Sequence, residues 1–145
     1  MLTKPATNAE IQAALYRQSG KKRQNLESQI LKGCLEWLNT VPGCRVWRQN
    51  VGGRVWVDSD GKTRHVAFGA PGMADLSGVG PHGVRIEIEI KKPGEEPSEA
   101  QNDWLDLMKT HGAIAFWVDS IDDCVRYMGR HFRARQWEWK KEWEV

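Results

Sequence analysis

Residues 84–91, Val-Arg-Ile-Glu-Ile-Glu-Ile-Lys, constrain this chain more than any other segment, because apolar and charged residues alternate through them without a break. Val84, Ile86, Ile88 and Ile90 fall on one side of an extended strand and Arg85, Glu87, Glu89 and Lys91 on the other. That is the period of two expected of a half-buried strand, so a sheet must form here with its core on the isoleucine side. Glu89 and Lys91 then point the same way, roughly 6.6 Å apart along one face. At that spacing a carboxylate and an ammonium can serve one small site. Asp75, in Gly-Met-Ala-Asp-Leu upstream, falls on a neighbouring strand and completes a carboxylate pair suited to a metal ion.

The rest of the chain supplies the layers around that sheet. Residues 1–23 read as a polar, basic N-terminal extension with a short helix at 8–18, capped by Thr7 with Glu10 three residues on. Residues 24–128 read as the folded domain and residues 129–145 as a C-terminal basic, aromatic helical tail. Within the domain, Leu26, Ile30, Leu31, Cys34, Leu35 and Leu38 follow helical spacing. Strands are expected at 45–50, 54–58 and 63–68, with Gly52-Gly53 and Ser59-Asp60-Gly61 as hairpin turns. A further strand pair, 74–79 and 84–92, is joined by Gly80-Pro-His-Gly83. Ser98 and Gln101 form a capping box for a helix over 97–111 that Gly112 ends. A continuous apolar run at 113–118 reads as a buried strand, and a last helix starts at Ser120 and runs into the tail. The order of helix, strands, helix, strand and helix predicts an α/β fold, a mixed sheet flanked by helices.

Composition removes several classes of function. With 145 residues, 40% hydrophobic and 28% charged, the chain holds one core and no apolar run of membrane-spanning length, so a soluble, cytoplasmic protein is expected. Cys34, Cys44 and Cys124 contain no CxxC pair, which argues against a disulfide framework and a zinc ribbon. His65, His82, His111 and His131 show no paired metal spacing. Asp58-Ser-Asp60-Gly61 begins like a calcium loop but lacks the closing glutamate, so a turn is expected. A net charge of +2 is small. Its basic clusters, Lys21 to Arg23 with Lys32, and Arg126, Arg130, Arg133 and Arg135, fit either a nucleic-acid partner or solvated faces.

The pattern of Asp75 followed by Glu89-Ile-Lys91 resembles the signature of the PD-(D/E)xK nuclease superfamily. The flanking residues look most like its VRR-NUC family: Gly-Ala-Pro-Gly-Met-Ala-Asp75-Leu, then Ile88-Glu89-Ile-Lys91, then Ser98-x-x-Gln101-x-x-Trp104-Leu and Gly112. The resemblance covers roughly residues 24–125. It implies a restriction-endonuclease-like mixed β-sheet flanked by α-helices and a DNA endonuclease dependent on Mg²⁺ or Mn²⁺. Asp75 and Glu89 are then the side-chain metal ligands, the Ile90 carbonyl a third, and Lys91 the group that orients water and stabilises charge on the phosphate. Glu87, one pleat back, is an outer candidate. Standalone relatives of this type resemble phage and bacterial enzymes that act as homodimers on branched DNA, including four-way junctions. Clustered tryptophans, with Trp47 and Trp56 in the early strands and Trp137, Trp139 and Trp143 in the tail, suit packing or a subunit interface.

Two further residues carry alternative readings. Glu27 lies within the apolar arc of the first helix, where it either favours the helix dipole or, as the resemblance implies, reaches the site from below the sheet. Gln101 shares a face with Trp104, Leu105 and Met108, and either closes the capping box alone or, as the resemblance implies, also sits beside the Glu-x-Lys strand. Against the enzyme stand a catalytically silent DNA- or protein-binding module of the same fold, and a wet strand face on which Lys91 merely neutralises Glu89.

Overall fold

The computed structural model describes residues 26–49 and 52–140. The first helix, α1 (Leu26–Leu38), buries Ile30, Leu31, Cys34 and Leu38 along one stripe, as the helical spacing predicts. Its exit is tied to the sheet by Asn39, whose amide both donates to the carbonyl of Val46 and accepts from its N–H at 2.9 Å. Then follow β1 (Arg45–Arg48), β2 (Gly52–Val57), β3 (Thr63–Phe68), β4 (Leu76–Val79) and β5 (Arg85–Ile90). After them come α2 (Glu99–Thr110), β6 (Ile114–Val118) and α3 (Ile121–Ala134).

The main sheet has the order β1-β4-β5-β6, antiparallel between the first three strands and parallel between β5 and β6. The parallel pair requires a crossover, which α2 supplies. One face carries Leu76, Ile86, Ile88, Ile90, Ile114 and Val118 and packs beneath α1 and α3, through Cys34, Leu38, Cys124, Met128 and Phe132. Each such side chain, fully buried, contributes on the order of 1.5–3 kcal/mol. The opposite face is not left to solvent. Leu105 of α2 packs there on Ala74 and Ala115, with Trp104, Met108 and Trp117 around them. The charged row of β5 is therefore covered, and Glu87 and Glu89 are as buried as the isoleucines beside them.

Two expectations about connectivity change. Gly52 and Gly53 are not a hairpin turn but the first residues of β2, and β1 pairs with β4, bypassing β2 and β3. β2 and β3 pair only with each other, as a separate two-stranded sheet closed at Ser59-Asp60-Gly61. There Asp58 Oδ1 accepts the N–H groups of Asp60 and Lys62, a turn-forming role rather than calcium ligation. The last helix, capped by Ser120 Oγ accepting from the Asp123 N–H, ends at Ala134 instead of continuing through the tail. Trp137 and Trp139 then fold back on Phe132, with ring centroids 5.1 and 5.3 Å away. Trp143 and the expected helix at 8–18 lie outside the described residues. The three cysteines are free and buried. No helix among the described residues is long and apolar enough to cross a membrane.

Candidate active site

The register of β4 against β5 assembles the site. Ser77 stands opposite Glu87 and Leu76 opposite Ile88, so one step further Asp75 falls opposite Glu89. Asp75 is held at the mouth of β4 by its own backbone and side chain: its carbonyl accepts the Gln49 N–H at 2.7 Å, and its Oδ2 accepts the Ile90 N–H at 2.9 Å. The approach to Asp75 needs glycine at position 72, where φ is +77° and a Cβ would stand 2.1 Å from the Ala100 carbonyl oxygen at the start of α2. The Gly-Met-Ala-Asp run thus presses its backbone on the helix that covers the site.

Glu89 is the centre of the arrangement. It is 2% exposed, and its Oε1 receives the Lys91 ammonium at 3.0 Å and the Gln101 amide at 2.6 Å. Its Oε2 is buried with no hydrogen-bond partner. Burial, followed by the repulsion of the neighbouring Asp75 carboxylate, pushes the Glu89 carboxyl up to about 7, against the opposing pull of Lys91. A buried acid with one unserved oxygen beside a second acid and a single ammonium is an uncompensated anionic site. Its natural complement is a hard cation.

Gln101 resolves into both of its readings at once. Its Oε1 accepts the Ser98 N–H at 2.9 Å while Ser98 Oγ accepts the Gln101 N–H, which closes the capping box. Its Nε2 is left free by that geometry to reach Glu89, so the helix cap itself aims a donor into the site. Ile90 presents its N–H to Asp75, while the next residue, Lys91, donates its N–H to Val118 of β6. Because backbone groups alternate sides along a strand, the Ile90 carbonyl opens on the Asp75 side. Glu27 is half-buried on the first turn of α1 and makes no hydrogen bond or ion pair with another described residue, so no contact joins it to this group.

Glu87 is a structural residue. It is fully buried and fully engaged: Ser77 Oγ lies 3.2 and 3.1 Å from its two oxygens, Arg85 Nε donates at 2.7 Å, and Trp104 Nε1 donates at 3.2 Å. No oxygen remains for a cation, which removes it as an outer ligand. The network of Ser77, Arg85 and Trp104 around it was not legible in the sequence, although Trp104 sharing a helix face with Gln101 is the one signal that pointed at β5.

Among the described residues no group of three or more His, Cys, Asp or Glu side chains that could hold a metal ion exists, so Asp75 and Glu89 stand as a pair without a third such side chain. Two carboxylates with a backbone carbonyl and water suit Mg²⁺ or Mn²⁺ and not zinc, which favours nitrogen and sulfur. The chain matches no family model, no curated protein and no solved structure.

Proposed function

We propose that this protein is a metal-dependent DNA endonuclease of the PD-(D/E)xK type, VRR-NUC-like, which hydrolyses phosphodiester bonds with Mg²⁺ or Mn²⁺. The observation that carries the reading is the buried Glu89 with an unpartnered oxygen, set beside Asp75 and Lys91 at the end of β5. A wet strand face is excluded by that burial. A silent module has no use for two repelling acids beneath a helix, since removing one would relieve the repulsion. The mixed sheet flanked by helices supports the reading at the level of the α/β class; the restriction-endonuclease-like fold that the resemblance implies belongs to the proposal.

The residues divide the work as follows. Asp75, Glu89 and the Ile90 carbonyl would hold the cation. When bound, that cation supplies a Lewis acid that polarises the phosphoryl group and acidifies water. Lys91, fixed by Glu89 and 15% exposed, directs its ammonium to the mouth of the site, where it orients the attacking water and offsets charge growing on the phosphate. Gln101 keeps Glu89 from rotating, because its own position is set by the helix cap. Glu27 remains the candidate to approach from the helix side of the sheet. Branched duplex DNA as substrate and a homodimer as the working form belong to the same proposal: one such site cuts one strand, and a symmetric junction needs two sites related by a two-fold axis.

The test is cleavage of linear, flap and four-way-junction DNA with and without metal. Hydrolysis that stops in excess chelator, returns with Mg²⁺ or Mn²⁺ and is lost in Glu89→Gln supports the reading. Undiminished cutting in chelator, or by Glu89→Gln, overturns it. Light scattering that shows a monomer while both strands of a junction are cut would defeat the dimer.

A further inference from the structure

β2 and β3 form an arm whose surface the nuclease site does not account for. All six residues of each strand are exposed, and the strands pair only with each other. At ~3.3 Å per residue the ribbon projects roughly 20 Å. An isolated two-stranded hairpin is marginal in water, and Val55 and Val57 are 60% and 65% exposed with Trp56 and Phe68 exposed beside them. The arm is built to meet something.

Its register sorts the side chains into two unlike faces. Directly opposed residues share a face in an antiparallel pair. Gly52 opposite Phe68, Arg54 opposite Val66 and Trp56 opposite Arg64 make one face, aromatic and cationic. Gly53 opposite Ala67, Val55 opposite His65 and Val57 opposite Thr63 make the other, which carries no Lys, Arg, Asp or Glu. The acids of the arm, Asp58 and Asp60, are confined to the tip, where Asp58 is used by the turn and by Arg64 Nε at 2.7 Å. Arg64 remains 54% exposed even so.

We propose that the Arg54–Trp56–Arg64 face is a nucleic-acid contact surface that lies along the substrate DNA. Arginines interleaved with aromatics on a projecting ribbon match phosphates and bases together, and a two-stranded β-ribbon has the width the major groove admits. Trp, Phe and Arg also suit protein interfaces, but this face gathers cations while the acids of the arm stay at the tip, the sign that a phosphate backbone requires. The arm also starts where the DNA must be. It leaves the sheet after β1, whose next residue Gln49 is hydrogen-bonded to Asp75, and it returns through the loop that delivers Asp75. The inference rests on the nuclease reading for the path of the DNA, and the binding of the arm is measurable without it.

The experiment is fluorescence anisotropy of a labelled duplex and a labelled four-way junction, in chelator, across a salt series. Arg54→Gln should weaken binding about tenfold and reduce the slope of log affinity against log salt by about 1. Trp56→Ala should weaken it about tenfold with the salt slope unchanged. Arg54→Glu should do more than Arg54→Gln, which keeps the test valid even where Trp56→Ala unfolds the arm. The double variant Val55→Thr with Val57→Thr, on the opposite face, should bind like wild type. Arg54 variants with wild-type affinity at every salt concentration overturn the proposal. So does a Val55/Val57 variant that loses binding as it turns monomeric in light scattering, since the arm would then serve a second copy. A protein that never cuts DNA yet loses binding with Arg54→Gln refutes the nuclease and keeps the arm. Metal-dependent cutting with arm variants that bind normally does the reverse.

Discussion

Replacing Glu89 by glutamine should make the metal-free protein more stable, and the size of the gain follows from the site. The Glu89 carboxyl is raised from an ordinary 4.5 to about 7 by burial and by Asp75. The folded state thus holds this proton more tightly than the unfolded chain does. Stability in chelator is therefore full below pH 4.5, falls as pH rises toward 7, and is flat above it. Each pH unit in that window is worth about 1.4 kcal/mol, so the loss approaches about 3 kcal/mol. Glutamine mimics the protonated acid. Its oxygen still accepts from Lys91 and Gln101, and its amide occupies the side where Glu89 Oε2 has no partner. Urea denaturation in chelator should find Glu89→Gln equal to wild type at pH 4.5 and up to about 3 kcal/mol more stable at pH 8, a rise in melting temperature of roughly 5–10 °C. Addition of Mg²⁺ or Mn²⁺ should then stabilise wild type and leave the variant unmoved. A wild-type stability that stays flat from pH 5 to pH 8, or a variant weaker than wild type at pH 8, would show that Glu89 is not an uncompensated buried anion.

Lys91→Ala should cut turnover by about 10²–10⁴-fold while calorimetry still detects metal binding, because in the proposed mechanism the ammonium acts on water and phosphate and is no ligand. Metal binding lost as completely as in Glu89→Ala would reassign it. Glu87→Ala should destabilise by about 3–5 kcal/mol in urea melts, since it strands Arg85, Ser77 and the Trp104 N–H around an emptied buried position; a loss under about 1 kcal/mol would mean that the network is not structural. Gln101→Ala removes a helix cap partner and a Glu89 donor together. It should cost about 1 kcal/mol in melts and lower kcat more than it raises KM, and a purely stabilising role would move the melt alone.

Local order fixed by short-range chemistry was legible without a structure. The apolar stripe of α1, the Ser98–Gln101 capping box and the turn at Asp58 each depend on residues within one or two turns of each other, and each stands where the sequence puts it. The alternation of residues 84–91 likewise determined which residues share a face of β5, and hence that Glu89 and Lys91 meet. Gly52-Gly53 misled because a glycine pair signals a turn by its backbone freedom, while the partner of a strand is chosen by distant packing, here β4 for β1. The same limit hid the state of the charged face. An alternating strand announces one wet side, and only the seating of α2 over Glu87 and Glu89 turns that side into a second interior, where an unpaired oxygen costs energy and a carboxyl titrates near 7. Residue identity and spacing decided which groups could meet. Burial, which converts that meeting into an uncompensated anionic cluster, is a property of the whole packed molecule and came from the tertiary structure alone.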